Sequence, residues 1–448
     1  MASRVVIRRR GEAKRDTAAE FRFQEKDVRD LSRRVGEPAW MLAYRLRAFE
    51  VYRSLPMPAL TDEAWRRTDV RAIPSDHVSL RAAEDTPIDP ESLRPLVGER
   101  HAALLTLRPG HPTQSQIDPA LAAQGVIFSD WATAISQPPS GFEAALDRVL
   151  RPEEGKFAAL AAAMAADGVV VWVPPHTEVA APLHSILWAP GAGTAFFSRV
   201  CIVVGEGSRV TFVHEAASPT EPAGHAIHAG LVSLDVGAGA QVTFVELQSW
   251  GEHVWNFTHE RARVERDGHL EWIFGAVGSH LTKNFTELDL AGAGSSGRMS
   301  GFYFTDGVQH LDHDTQQNHL APNTTSDLLF KGALVDRSRS VWQGMIYVAP
   351  AAQKADGYQA NRNLILSPKA RADSIPGLEI LADDVRCTHG ATVGQLDPEP
   401  IFYLMSRGLP RREAERVVVN GFFDPILQRI PFEGVRERFQ RMMNEKLS

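Results

Sequence analysis

The chain has 448 residues, of which 44% are hydrophobic and 23% are charged, as is usual for a soluble globular protein. A formal net charge of −7 disfavours a general nucleic-acid-binding function. No apolar run approaches the roughly 20 residues that a membrane-spanning helix needs. Two cysteines do not make a disulfide framework, so the cytoplasm is the expected compartment. Four arginines lie near the N-terminus, but no apolar targeting region follows Arg4, Arg8, Arg9 and Arg10.

Residues 1–166 have a mostly helical pattern. Leu42, Leu46 and Phe49 recur at the spacing of one helix face. The run 157–166 is rich in alanine, which has the highest helix propensity. These patterns predict a helical region at the N-terminal end of the chain.

The next part of the chain changes to short β-type runs that are separated by glycine turns. GEGSRVTFVHE begins at Gly205 and GAGAQVTFVEL begins at Gly237, with weaker copies from Asp267 and Ser296. The spacing is about 30 residues, which is typical of a repeat architecture. Repeated strand–turn units predict the stacked coils of a β-solenoid over residues 167–396. A β-sandwich or a cupin-like barrel uses similar strands and stays open as an alternative.

Residues 397–448 return to a helical pattern. Asp397 is a good N-cap, and the helix that follows it is predicted to end at Gly408. A second helix is predicted to begin at Pro410 and to end at Gly421. Core packing is the default use of the apolar stripes on these helices, and a groove for a partner is the alternative.

The stretch DDVRCTHGATVGQ, residues 383–395, joins the β-rich body to the helical tail. Alternation along a strand places Cys387 and His389 on one face and Thr388 on the other. A thiol beside an imidazole can bind iron or zinc, and it can also form a nucleophile–base pair. A buried cysteine beside a hydrogen-bonded histidine is the structural alternative. Two ligands do not complete a metal site, so other residues or another chain must supply the rest.

A second group of possible metal ligands lies in one short stretch. It consists of His310, Asp312, His313, Asp314 and His319. A cupin-like metal-dependent enzyme would need such groups around one metal, often two histidines and a carboxylate. A hydrogen-bonded rung or turn is the structural alternative. The chain has no phosphate-binding Gly-Lys motif, so any dependence on ATP must come from a partner.

Several longer motifs resemble the sequences of a known protein family. They are QHLDHDTQQNH at 309–319, SRSVWQGMIYV at 338–348, GYQANRNLIL at 357–366, PGLEILADDVRC at 376–387, CTHGATVGQLD at 387–397, FYLMSRG at 402–408 and VVNGFF at 418–423. Together they resemble the SufB/SufD family of iron–sulfur cluster assembly proteins, over most of the chain. The resemblance implies a mainly β fold, a right-handed parallel β-helix core flanked by N-terminal and C-terminal α-helical regions.

Within the family, the chain resembles the SufD type more than the SufB type. SufB-type chains carry a cysteine at about the position of Asn361 and an acidic pair around the position of His389. Here Asn361 is an asparagine, and Cys387, Thr388 and Gly390 surround the histidine. This likeness implies a non-enzymatic scaffold that pairs with SufB through a β-helix edge and docks the ATPase SufC. A homodimer is possible when the chain is alone.

The resemblance also implies two sites. His389, and with it Cys387, is expected to contribute to a nascent iron–sulfur cluster at the SufB interface. That cluster would be transient and shared with SufB, and no cofactor is expected to stay tightly bound to the isolated chain. The helical tail is expected to contact SufC through exposed aromatic side chains beside a glycine. The residues expected to carry this contact are Arg407, Gly408, Phe422 and Phe423.

Overall fold

The computed structural model of the protein describes residue 17 and residues 19–80, 101–430 and 433–447. The four N-terminal arginines lie outside these residues. The described part is mainly β, a β-solenoid of about eight turns with helices at both ends, so the predicted fold class is confirmed. Within the same ranges, no helix is both long and apolar enough to span a bilayer.

The first sheet of the solenoid has ten strands among the described residues. In spatial order they are β2 (Gln114–Ile117), β1 (Ala103–Leu107), β5 (Leu183–Trp188), β7 (Arg209–Ala217), β9 (Gln241–Ser249), β11 (His269–Ala276), β13 (Ser296–Thr305), β15 (Thr325–Leu334), β17 (Asp356–Ile365) and β19 (Arg386–Gln395).

The second sheet has nine strands in the same part of the chain. In spatial order they are β3 (Ile127–Asp130), β4 (Asp167–Val173), β6 (Ala195–Val204), β8 (Ala226–Val236), β10 (Val254–Val264), β12 (Leu281–Leu290), β14 (His310–His319), β16 (Arg339–Val348) and β18 (Arg371–Ile380).

Successive strands alternate between the two sheets, and from β4 onward each strand pairs in parallel with the strand two further along. The sheets enclose an interior that we call the lumen. In-register pairing stacks equivalent side chains there: the ring centroids of Phe212 and Phe244 are 5.6 Å apart, and those of Phe244 and Trp272 are 5.8 Å apart. Gly207 and Gly239 make the repeated turns with φ of +64°, a conformation that glycine adopts without strain. This parallel topology excludes the sandwich and barrel alternatives.

Six helices are described in the N-terminal region. They are α1 (Glu25–Val35), α2 (Ala39–Ser54), α3 (Pro119–Ala123), α4 (Trp131–Ser136), α5 (Phe142–Val149) and α6 (Lys156–Met164). The outer face of the second sheet is buried beneath this region, where the rings of Phe157 and Phe257 stack with centroids 3.9 Å apart. The strands β1, β2 and β3 also belong to this region and extend both sheets, which the helical pattern of residues 1–166 did not predict.

Three helices follow the solenoid in the described tail: α7 (Pro398–Ser406), α8 (Arg411–Leu427) and α9 (Glu433–Lys446). Helices α8 and α9 cover the outer face of the first sheet, and the rings of Phe302 and Phe439 meet edge to face at 4.0 Å. The prediction that the second helix ends at Gly421 is wrong. Helix α8 continues because Phe423 and Ile426 are buried against the sheet, and this burial outweighs the roughly 1 kcal/mol that an interior glycine costs.

Candidate functional site

The solenoid is open at its C-terminal end. Strands β18 and β19 are the last in their sheets, and among the described residues no further strand pairs with either of them. Most of β19 is exposed, whereas β8 in the middle of the solenoid is entirely buried. Large apolar side chains are exposed on this end, namely Tyr358, Leu378, Ile380, Leu381 and Val393. An unpaired strand edge with apolar neighbours is a surface on which another chain can pair.

Cys387 and His389 both lie on β19, as predicted. Cys387 is in register with Gly357 and His389 with Gln359, two buried residues of β17. In-register residues of parallel strands point to the same side, so both functional side chains face the lumen side of the last turn. Thr388 lies on the opposite face. Because no turn follows, His389 is exposed and Cys387 is only half-buried.

Gly357 has no side chain, so the Cys387 thiol can lie close to the lumen wall. A Cβ atom at Gly357 would lie 3.3 Å from Cys387 Sγ and 3.1 Å from His319 Nε2. Burial raises the pKa of the Cys387 thiol; a hydrogen bond from the Gly357 backbone partly opposes this, and Asp356 adds to it. Its own chain therefore encloses the thiol on one side, while the other side of the thiol faces the open end of the solenoid.

This pair of side chains does not make a closed metal site. In the ranges that the structure covers, no three His, Cys, Asp or Glu side chains converge to hold a metal ion. A tetrahedral iron or zinc ion takes four ligands, so Cys387 and His389 supply at most half of such a set. Any metal bound here would need further ligands besides these two side chains.

The second predicted ligand group is split by strand geometry. His310, Asp312 and Asp314 lie on the outer face of β14, whereas His313 and His319 face the lumen, because side chains alternate along a strand. Burial lowers the pKa of His310 and His313 to about 3 and that of His319 to about 4. These groups do not converge, and the cupin-like enzyme finds no support.

The outer half of this group attaches an N-terminal segment. Lys283 Nζ lies 2.8 Å from Asp312 and 3.2 Å from Asp314, and Thr68 contacts both His310 and Asp312. Trp65 packs on Phe257 and Phe285 beside it. Residues 61–70 are therefore held on the second sheet by the contacts of Thr68 with His310 and Asp312 and by the aromatic anchor of Trp65.

The lumen half packs among neighbouring side chains, and His319 is hydrogen-bonded whereas His313 Nε2 is buried without a hydrogen-bond partner among the described residues. His319 Nδ1 lies 2.7 Å from the Thr324 hydroxyl, and Nε2 lies 2.9 Å from the Ser326 hydroxyl. The His313 ring lies between the rings of Phe274 and Tyr303 at centroid distances of 5.0 and 5.6 Å. His319 therefore has the hydrogen-bonded role that was the alternative to a metal site, whereas His313 is held by ring packing.

The predicted contact residues of the tail divide into two sets. Gly408 follows helix α7 with φ of +95°, which confirms the predicted helix end, and Arg407 beside it is exposed. The expectation of two exposed phenylalanines is wrong, because Phe423 is fully buried against Phe304 and Phe422 is half-buried over Lys331. Phe423 shares a helix face with Val419 and Ile426, and that face packs against the sheet.

The exposed aromatics of the tail lie one helix earlier. Phe402 is 74% exposed and Tyr403 is 56% exposed, with Met405 and Val417 also exposed nearby. The sequence contained a signal for this surface. Ile401 to Met405 are five consecutive apolar residues, which extend around the whole helix, so some of them must face outward.

Comparison with known proteins agrees with this architecture. Residues 187–422 match the model described as SUF system FeS cluster assembly, SufBD core domain, and residues 26–184 match the SufBD protein N-terminal region. The chain is 30% identical over 427 residues to the iron–sulfur cluster assembly protein SufD of Bacillus subtilis (strain 168), covering 94% of this chain and 97% of that one. It is 28% identical over 424 residues to SufB of the same organism, covering 91% and 89%.

A SufBD family protein of Staphylococcus epidermidis (strain ATCC 12228 / FDA PCI 1200) is 27% identical over 422 residues, covering 91% of this chain and 90% of that protein. The fold and its open end define a β-solenoid with an unfinished site on its last turn. The chain belongs to the SufBD family of iron–sulfur cluster assembly proteins.

Proposed function

We propose that this chain is a SufD-type scaffold subunit of the SUF system, which pairs with a SufB-type chain and docks an ATPase of the SufC type. It has no catalytic residues of its own, and ATP hydrolysis belongs to the partner. Cytoplasmic location is part of this proposal. One observation carries it: the open last turn presents Cys387 and His389 side by side, with at most half of a ligand set.

The SufD assignment is supported by Asn361. At this position the resemblance places a cysteine in SufB-type chains. Asn361 is fully buried and accepts a hydrogen bond of 2.6 Å from Asn363 Nδ2, while its own amide lies 3.3 Å from the Tyr303 hydroxyl. The site is a saturated amide–phenol network, which offers no thiol to carry sulfur or bind iron.

The open end supports pairing through strand edges. A second β-helix can place its own last strands against β18 and β19 and cover the exposed apolar side chains there. Such a partner also lies where it can add a thiolate or a carboxylate beside Cys387 and His389. A cluster held by two chains is easily released, which suits a scaffold, whereas a site closed by one chain retains its metal.

The test is His389→Ala and Cys387→Ala, each in the full complex, with Thr388→Ala on the other face of β19 as the matched control. We expect loss of cluster formation in cells for His389→Ala while the complex still assembles, and a smaller loss for Cys387→Ala. The control should behave as wild type. Normal cluster formation by the His389→Ala complex would remove this site from the proposal.

The ATPase contact is proposed on the exposed aromatic face of α7 beside Arg407 and Gly408. Phe402 and Tyr403 supply the apolar anchor, and the guanidinium of Arg407 lies 5.3 Å from the Tyr403 ring as part of a polar rim. Phe402→Ala should weaken binding of the ATPase by about tenfold or more. Glu437→Ala, on the exposed side of α9, is the control, and unchanged affinity of Phe402→Ala would exclude this surface.

A further inference from the structure

The lumen wall beside Cys387 has a gap at Gly357. Ser326 of β15, Gly357 of β17 and Cys387 of β19 occupy equivalent positions, because each is in register with the next. Their side chains would stack along the lumen, but the middle one is absent. The backbone of Gly357 is outside the left-handed region, so its conformation does not require glycine. The need for glycine here therefore comes from the space around it.

Three side chains border the gap. A Cβ atom at Gly357 would lie 3.1 Å from His319 Nε2, 3.3 Å from Ile346 Cγ2 and 3.3 Å from Cys387 Sγ. All three distances are shorter than an ordinary van der Waals contact, so an added methyl group would require a neighbour to move. The thiol is therefore one of the groups that pack into the space left by the missing side chain.

The three neighbours differ in their freedom to move. His319 is fully buried, and its ring nitrogens lie 2.7 Å from the Thr324 hydroxyl and 2.9 Å from the Ser326 hydroxyl. Ile346 is fully buried within an apolar cluster. Cys387 is half-buried on the last strand, where one side of it faces the open end. A side chain added in the gap would therefore displace the thiol toward the open end.

In the wild-type chain the thiol packs inward. Cys387 packs against the apolar cluster that includes Ile346, Val348 and Ala355, whereas His389, two residues along the same face of β19, is exposed. The two proposed cluster ligands are therefore unequal in the free chain. The imidazole is presented at the open end, and the thiol is held back against the lumen wall.

We propose that Gly357 is a positioning residue for Cys387: its missing side chain leaves the gap that holds the thiol back, and this shields the thiol from reagents in solution until a partner completes the site. The inference rests on the proposed function, in which the thiol is a ligand of a shared cluster. A thiol that is oxidised or alkylated before the partner binds can no longer supply a thiolate. Gly357 thus protects the less exposed of the two ligands, and His319 forms the fixed side of the gap.

The experiment measures the rate at which iodoacetamide alkylates Cys387 in the full-length chain, with the modified cysteine identified by peptide mass spectrometry. Gly357→Ala should raise this rate by about threefold and Gly357→Val by about tenfold, because a larger side chain leaves less room for the thiol. Gly390→Ala is the matched control and should react as wild type, since a Cβ atom there would have nothing within 4 Å. Unchanged rates in both Gly357 variants overturn the proposal.

Cys201 separates a displaced thiol from a general loss of structure. It is the only other cysteine of the chain and is fully buried, so its alkylation reports unfolding. A variant that only destabilises the chain exposes both cysteines, whereas a displaced thiol raises the rate at Cys387 alone. Equal increases at both cysteines in Gly357→Ala would overturn the positioning role.

A second comparison leaves Gly357 in place and decides the proposal if neither Gly357 variant folds. Ala391→Cys combined with Cys387→Ala moves the thiol along the same face of β19, to a position in register with Asn361, whose side chain leaves no such gap. This thiol should be alkylated about tenfold faster than Cys387 of wild type, and an equal rate overturns the shielding. Neither measurement requires a cluster. Failure here leaves the proposed cluster site standing, and normal cluster formation by Cys387→Ala would remove the ligand role without changing these rates.

Discussion

The middle turns and the last turn of the solenoid are built from the same kind of strand and have opposite surroundings. Strand β8 lies between two other strands, under N-terminal helices on one side and over the filled lumen on the other, and is buried throughout. In the part of the chain that the structure describes, strand β19 pairs with one other strand and is mostly exposed. The difference supports the proposed site on the last turn, because lumen-facing side chains are accessible to a partner where the repeat stops.

The largest expected contrast compares the two regions directly. Phe244→Ala removes a fully buried ring that stacks on Phe212, and it should cost about 4 kcal/mol of unfolding free energy. Val393→Ala, at the open end, should change stability by less than about 0.5 kcal/mol in the isolated chain. Denaturant unfolding measures both. Similar losses for the two variants would mean that the last turn is covered in solution, as in a homodimer.

A second contrast compares a buried ion pair on the outer face of the second sheet with an exposed ion pair. Asp312→Ala leaves the buried Lys283 ammonium with only Asp314 nearby, and it should cost about 3 kcal/mol. The exposed pair of Arg22 and Asp76 is the matched case, and Asp76→Ala should change stability by less than about 0.5 kcal/mol. If Asp312→Ala were equally mild, the buried pair of Lys283 and Asp312 would not stabilise the second sheet.

The smallest effect is a pH dependence of the middle turns. His313 is buried with its pKa lowered to about 3, whereas the unfolded chain takes up this proton near pH 6.5. The folded state therefore loses stability as pH falls below 6.5. His313→Phe should relieve about 2 kcal/mol of that loss at pH 5 relative to pH 7.5. The measurement is the difference between variant and wild type at each pH, so the contributions of the other titrating groups cancel.

Much of the fold followed from local patterns. The copies at Gly205 and Gly237 each form a turn and a strand, and pairing those strands in parallel produces the solenoid. The tail helices were predicted correctly except at Gly421, where burial of Phe423 outweighs the weak helix propensity of glycine. The strands β1 to β3 were missed because short strands in a helical region depend on the sheet that they join.

The sequence by itself determined that Cys387 and His389 share one face, since the period of a strand is two residues. By the same rule, His310 and His313 lie on opposite faces of their strand, although the rule was not applied when they were predicted as possible ligands of one metal. The tertiary structure alone decided that β19 pairs with no further strand among the described residues and that Phe402 rather than Phe423 is exposed. Exposure and contact between distant strands depend on which segments cover a residue, and residues far apart in the chain supply that cover.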